Sequence, residues 1–249
     1  MLITTLVILL FFGGAQQTFL IDNLEKGIKK VIDDKDRKKE ILAELKDSKS
    51  VIKAFNKAGK ASRKEFRAMS ADRETSRKAL EEIQERLREK RQAMQHGSIE
   101  ARLSIVTKIT EEEWAEIIDL SNAHVSKQKA KAEKKSEKKP KDDFRKVRTA
   151  IDDSIQDPGT KSEMNAMLES FIEQYEAMND RRRSLNVADN ELVGKQDASR
   201  EELQGMLGEL NALRDDVFRT FLDYRFKAKA LLSAEEWDPI AKELNKVVF

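Results

Sequence analysis

Ile109-Thr110-Glu111-Glu112-Glu113-Trp114 and Leu232-Ser233-Ala234-Glu235-Glu236-Trp237 are two copies of one pattern: aliphatic, Thr or Ser, any residue, Glu, Glu, Trp. They contain both tryptophans of the chain. The pattern is a helix start. Thr110 or Ser233 is placed to be the N-cap, its hydroxyl accepting an otherwise unpaired backbone N–H. Glu113 or Glu236, three residues on, closes a capping box. Ile109 or Leu232 before the cap and Trp114 or Trp237 at the fourth helical position are the two ends of a hydrophobic staple. The rest of the chain reads as two copies of a unit that ends in this cap.

Composition agrees with long helices. Charged residues make up 38% of the 249 positions, aromatics only 6%, and three prolines leave little to interrupt a helix. A chain rich in Lys, Glu, Ala, Arg and Leu with helical periodicity is all-α. The 48 basic and 46 acidic residues nearly cancel, to a net charge of +2. A nucleic-acid binder would carry a basic excess, so no nucleic-acid partner is expected. With no Cys, thiolate chemistry and Cys-ligated metal are excluded.

Leu2–Phe12 is nearly all apolar and is followed by Gly13-Gly14-Ala15-Gln16-Gln17 and Thr18-Phe19-Leu20-Ile21. As a signal peptide it offers an apolar core and small residues, Gly13 and Ala15, at the cleavage positions. No Lys or Arg precedes that core. As an anchor, residues 2–21 are just long enough to span a bilayer. The dense basic residues that follow, from Lys26 to Lys39, would then place the body in the cytoplasm. The expected settings are therefore extracytoplasmic (periplasmic) or anchored in the inner membrane, with the cytoplasm-facing orientation the alternative that the charge rule gives.

From Asp22 to about Met69 apolar residues recur at three- and four-residue steps: Ile28, Val31, Ile32, Ile41, Leu42, Leu45, Ile52 and Phe55. Ser70-Ala71-Asp72 reads as a turn or kink. A second helix is expected from about Arg73 to Gln95, with His96-Gly97-Ser98 breaking or bending it. A short helix follows from Glu111 to about Ala123. Lys127–Lys141 holds no large apolar residue and reads as a linker or a solvated helical extension. In the second half, Asp157-Pro158-Gly159 is a turn signal, and Arg181-Arg182-Arg183 with Asn186–Asn190 reads as a polar hairpin region. The steps Leu203, Met206, Leu210, Leu213, Val217, Phe221, Tyr224 are close to a heptad seam. Pro239 should kink or end the last helix.

The expected organisation is thus residues 1–21 as signal or anchor, 22–126 as a first helical-hairpin unit, 127–141 as a Lys-rich linker and 142–249 as a second unit. The units align at two spacings. Ile32-Asp33-Asp34 matches Ile151-Asp152-Asp153 at 119 residues, whereas Leu80, Arg102 and Trp114 match Leu203, Arg225 and Trp237 at 123. One helical turn of insertion in the second unit would reconcile the two.

An apolar residue, Thr, two residues and then Gln is the repeated signature of the Spy/CpxP group of periplasmic helical proteins. The two caps resemble it, with Ile109-Thr110 and Leu232-Ser233 in the first slots and Glu113 and Glu236 where the group has Gln. The long charged hairpins leading to the motif are also similar. The resemblance implies an extracytoplasmic, chaperone-like or stress-sensing role without catalysis. No catalytic residue, cofactor or metal site is expected. His96 and His124 lie far apart in polar segments, and no phosphate loop or nucleophile motif is present.

Expected partners are a protein client, a helical partner or a second copy of the chain, and the membrane through residues 2–21 if these are uncleaved. Met164, Met167, Phe171 and Met178 are candidates for client contacts, with packing in the core the stronger reading of the four. The alternative is an anchored coiled-coil scaffold, pairing through the seam of Leu203, Met206, Leu210, Leu213, Val217 and Phe221. Arg181, Arg182 and Arg183, like Lys127–Lys141, read first as a solvated loop and linker, and otherwise as candidates for contact with acidic lipid headgroups or an acidic partner.

Overall fold

The computed structural model describes residues 23–136 and 144–248. The apolar segment 2–21 and the end of the Lys-rich linker lie outside them. The described chain is all-α. Its first half contains α1 (Leu24–Val31), α2 (Lys35–Ala71), α3 (Arg77–Val106) and α4 (Glu111–Ser136). Its second half repeats the order with α5 (Arg145–Ser154), α6 (Pro158–Gly194), α7 (Arg200–Leu231) and α8 (Ala234–Val248).

The helix starts explain the repeat. Asp34 and Asp157 cap α2 and α6, accepting from Arg37 N at 2.9 Å and Thr160 N at 2.7 Å. Ser76 and Ser199 cap α3 and α7, and Ser199 forms a full capping box with Glu202. Every one of these caps recurs 123 residues later, as do Thr110 and Ser233. Both long helices, α2 and α6, are 37 residues. The spacing is therefore 123 throughout, with no inserted turn. Ile32 pairs with Ile155 and Asp34 with Asp157, not with Ile151 and Asp153 as sequence alignment suggests. Removing the Ser199 cap (Ser199→Ala) should cost about 1 kcal/mol, read as a lowered urea midpoint.

Several expected breaks are absent. α3 runs unbroken through His96-Gly97-Ser98, because Gln95, Ser98 and Ile99 are buried on both sides of Gly97. α6 runs through Arg181–Asn190, and its turn comes later, after Gly194. Asp157-Pro158-Gly159 is a helix start rather than a turn, with Pro158 at the first position, where its missing N–H costs nothing. α4 continues past Ala123 to Ser136. α8 continues past Pro239, held by buried Ile240, Ala241, Leu244 and Val247.

α2 packs along α3 and α6 along α7, while α1 covers α4 and α5 covers α8. The halves do not have separate cores. One core joins Ile28, Ile41, Ile105 and Trp114 of the first half to Val193, Leu203 and Met206 of the second. The other joins Phe66, Leu80 and Leu87 of the first half to Ile151, Met164, Phe221 and Trp237 of the second. Each hairpin therefore reaches with its tip into the base of the other. α3 and α7 cross antiparallel between them. Arg77 pairs with Asp223 (2.7 Å) and Arg200 with Glu100, two contacts that exchange under the 123-residue shift. The arrangement is that of an isologous dimer written into one chain.

The two cores differ in filling. The second holds the aromatics, with Phe171 and Tyr224 centroids 5.0 Å apart and Phe66 against Phe218 at 5.5 Å. The first is mainly aliphatic around Trp114. The Tyr224 hydroxyl is buried without a hydrogen-bond partner among the described residues, and burial pushes its pKa up. Tyr224→Phe should therefore leave the urea midpoint unchanged or raise it, since an apolar ring loses nothing there.

Candidate functional site at the hairpin tips

The two tryptophan caps form as their residues dictate. Thr110 N donates to Glu113 Oε2 at 3.0 Å, and Glu113 N donates to Thr110 Oγ1 at 3.2 Å. Ser233 N donates to Glu236 Oε2 at 2.9 Å, and Glu236 N donates to Ser233 Oγ at 3.3 Å. Ile109, Trp114, Leu232 and Trp237 are all buried, so both staples close.

Each cap also does something that its sequence does not announce. Trp237 Nε1 donates to Ala71 O (2.8 Å), at the end of α2 in the other half. Trp114 Nε1 donates to Gly194 O (2.7 Å), at the end of α6. A helix leaves its last carbonyls without internal partners. Here the opposite half supplies the donors.

An arginine completes each set. Arg225 lies over the Trp237 ring at 5.2 Å and sends Nε to Ser70 O (3.0 Å) and Nη2 to Asp72 O (2.7 Å). Arg102 lies over Trp114 at 5.2 Å and sends Nη2 to Val193 O (2.9 Å) and Lys195 O (2.7 Å). Guanidinium is suited to this, because its fixed fork reaches several oxygens while its face stacks on an aromatic ring. Burial lowers the pKa of both arginines to about 10, so both stay charged at neutral pH.

The tips answer in kind. Arg73 in the first tip donates to Lys229 O (3.2 Å) and Leu232 O (2.9 Å). Gln196, its equivalent in the second tip, donates to Val106 O (3.2 Å) and Ile109 O (2.7 Å). Asn245 adds a further tie at the first tip, accepting from Ser70 Oγ at 2.6 Å. These groups saturate backbone acceptors. They offer neither a nucleophile nor a carboxyl poised to exchange a proton.

At the centre of the crossing stand Arg91 and Arg214, again related by 123 residues. Burial, and then the charge of Arg214, lowers Arg91 to about 9. Arg214 donates to Asn211 Oδ1 (2.8 Å), and Asn211 donates to Gln95 Oε1 (2.8 Å).

The predicted partner seam lies inside the molecule. Leu203, Met206, Leu210, Leu213, Val217 and Phe221 are all buried, at most 7% exposed. Heptad spacing on α7 thus reports packing within the chain and offers no face to a separate helix. Met164 and Phe171 are buried too, and Met167 and Met178 pack against the same core. Arg181 is exposed on α6, facing Asp216 at 3.7 Å, Arg182 is half-buried, and Arg183 lies on the same helix rather than in a loop. Among the described residues no cluster of His, Cys, Asp or Glu is placed to hold a metal, and no helix is long and apolar enough to cross a membrane. Open grooves lie on the surface of the described residues. One runs between α5 and α8 by Lys146, Asp153, Asp238 and Lys242, another between α2 and α3 by Ser48, Val51, Gly97 and Ala101.

Sequence reasoning singled out the tryptophans but missed the work of Arg102, Arg225, Arg73 and Gln196. The recurrence of Arg102 at Arg225 was the available signal. No family model matches the chain, and no curated protein or solved structure matches it either.

Proposed function

We propose that the protein is a non-catalytic, extracytoplasmic helical protein that binds clients or partners through its charged outer faces. The observation that carries this reading is where the reactive side chains go. The strongly perturbed cations, Arg91, Arg102, Arg214 and Arg225, are spent on the crossing of the two halves. The carboxylates with resolved shifts, among them Glu25, Asp157, Glu202 and Glu243, are held below their ordinary range by caps and surface pairs. Such groups are already ionised and make poor general acids at neutral pH. The resemblance of the two caps to the Spy/CpxP signature supports the same reading.

The mode of binding differs from a hydrophobic cradle. Among the described residues Val51 is the one exposed large hydrophobic side chain, so client contact would be electrostatic and reversible. The test is suppression of aggregation of a thermally unfolding client, with salt as a second variable. Suppression that weakens with added salt supports the proposal. No suppression at several-fold molar excess contradicts it. The compartment is tested separately, by the mature N-terminus and by protease accessibility of the body in intact cells.

A further inference from the structure

The two halves share a fold but not a charge pattern, and the divergence is concentrated on the long helices. Between Lys46 and Arg67, α2 carries eight Lys or Arg and only two acids, Asp47 and Glu65. The matching stretch of α6, residues 169–190, carries three Arg and five acids. The differences fall on equivalent positions: Lys46, Lys53 and Lys57 stand where α6 has Glu169, Glu176 and Asp180. Even the tie between short and long helix is reversed in sign. Glu25 of α1 pairs with Lys49, whereas Arg148 of α5 pairs with Glu169 at 2.7 Å.

The basic residues of α2 form one strip. Lys46, Lys49, Lys53, Lys57, Lys60, Lys64 and Arg67 follow steps of three and four. At 3.6 residues per turn they occupy an arc about 80° wide and roughly 32 Å long. All seven are exposed. Among the described residues no ion pair neutralises Lys53, Lys57, Lys60 or Lys64, and Glu65, one of the two acids, is already engaged by Arg86 at 2.7 Å. Beside the arc, the outermost line of the helix is small: Ala43, Ala54, Ala61 and Ala68 are exposed.

The start of the described chain is fixed beside this strip. Glu25, two residues after Asn23, is bonded to Lys49 and to Lys29. Asn23, where the described chain begins, therefore lies near one end of the arc. From these placements we infer that the basic face of α2 is a docking surface for anionic lipid headgroups. Retained as an anchor, the apolar run would bring the chain to the bilayer, and the seven cations would lay α2 along its surface. Cations near an anionic bilayer attract it additively, at roughly fivefold in binding constant each, and salt screens them. Phosphates of a nucleic acid would attract the same cations; the apolar run Leu2–Phe12 is what favours the bilayer as the occupant. The inference does not rest on client binding: a chain that suppresses no aggregation would still show the lipid dependence.

The absence of native Cys allows a direct test. The full-length chain is given a single label at Ala54→Cys on α2 or at its α6 equivalent, Ala177→Cys. It is then reconstituted in phosphatidylcholine vesicles with or without phosphatidylglycerol, and contact is read by headgroup-located quenchers. The apolar run is common to all samples, so the difference reports the body alone. Ala54→Cys should be quenched strongly on anionic vesicles, weakly on neutral ones, and weakly again at high salt. Ala177→Cys should be unchanged across all three. Reversing Lys53, Lys57, Lys60 and Lys64 to Glu should lower the docking constant by at least about a hundredfold, so that quenching of Ala54→Cys on anionic vesicles falls to its level on neutral ones, with unchanged helical circular dichroism. Equal quenching at both labels, or contact that survives the reversal, would overturn the inference. So would tighter binding of the unreversed chain to a DNA or RNA duplex than to anionic vesicles at the same salt.

Discussion

Arg225→Ala is expected to lower folding stability by about 3 kcal/mol, measured as a drop in urea midpoint at constant slope. The guanidinium holds Ser70 O, Asp72 O and, more loosely, Thr75 O at 3.4 Å. These carbonyls lie at the tip of the first hairpin, against the base of the second half. Without the arginine, buried acceptors lose their donors, and each such loss costs about 1–3 kcal/mol. Part is recovered because the variant no longer buries a charge, which is why the total stays below the sum. Arg225→Lys should rescue little, since an ammonium cannot span separate carbonyls and stack on Trp237 at once. Arg102→Ala should lower the midpoint as well, and by less, because a single nitrogen makes both of its carbonyl bonds. The two sites lie at opposite ends of the crossing, so their effects should add to within about 0.5 kcal/mol.

Trp237→Ala is expected to cost about 4 kcal/mol, the range for truncating a fully buried tryptophan. Trp237 is 2% exposed and sits in the aromatic core. Trp237→Phe separates the causes. It keeps most of the ring and removes the N–H that serves Ala71 O, so it should cost about 1–2 kcal/mol. The matching pair at Trp114 should behave alike, through Gly194 O. Because these are the only tryptophans, each Phe variant leaves one fluorophore at one end of the molecule. Both ends should report a single unfolding transition within each variant, coincident with loss of helical circular dichroism. Shared cores leave neither half able to unfold alone.

The all-α class and the two caps were legible because both rest on local rules, helical spacing and the capping box. Asp34, Ser76, Asp157 and Ser199 carry the same short-range information. The register of the duplication was harder. Isoleucines one turn apart, Ile28 and Ile32 against Ile151 and Ile155, allow a match displaced by one turn, and the Asp pairs that follow Ile32 and Ile151 make the wrong match look as good. Helix continuity through Gly97 and through Arg181–Arg183 is not legible in composition, which favours a break, because packing on α3 and α6 decides it.

The crossing itself could not be read. Arg225 meets carbonyls more than 150 positions away, and a backbone acceptor leaves no residue type to recognise. The seam on α7 shows the same limit. Its heptad spacing is real, but spacing does not say whether the partner surface belongs to another chain or to this one.

The most direct test of the reciprocal crossing is a cross-link between its two faces. Arg77 lies 2.7 Å from Asp223, and Arg200 is paired with Glu100. With no native Cys to interfere, Arg77→Cys with Asp223→Cys, and separately Glu100→Cys with Arg200→Cys, can be joined by a short bis-maleimide and mapped by mass spectrometry. Both pairs should cross-link efficiently within one monomer at high dilution. Two hairpins standing side by side as independent units would give no intramolecular link at either pair, and that result would contradict the account.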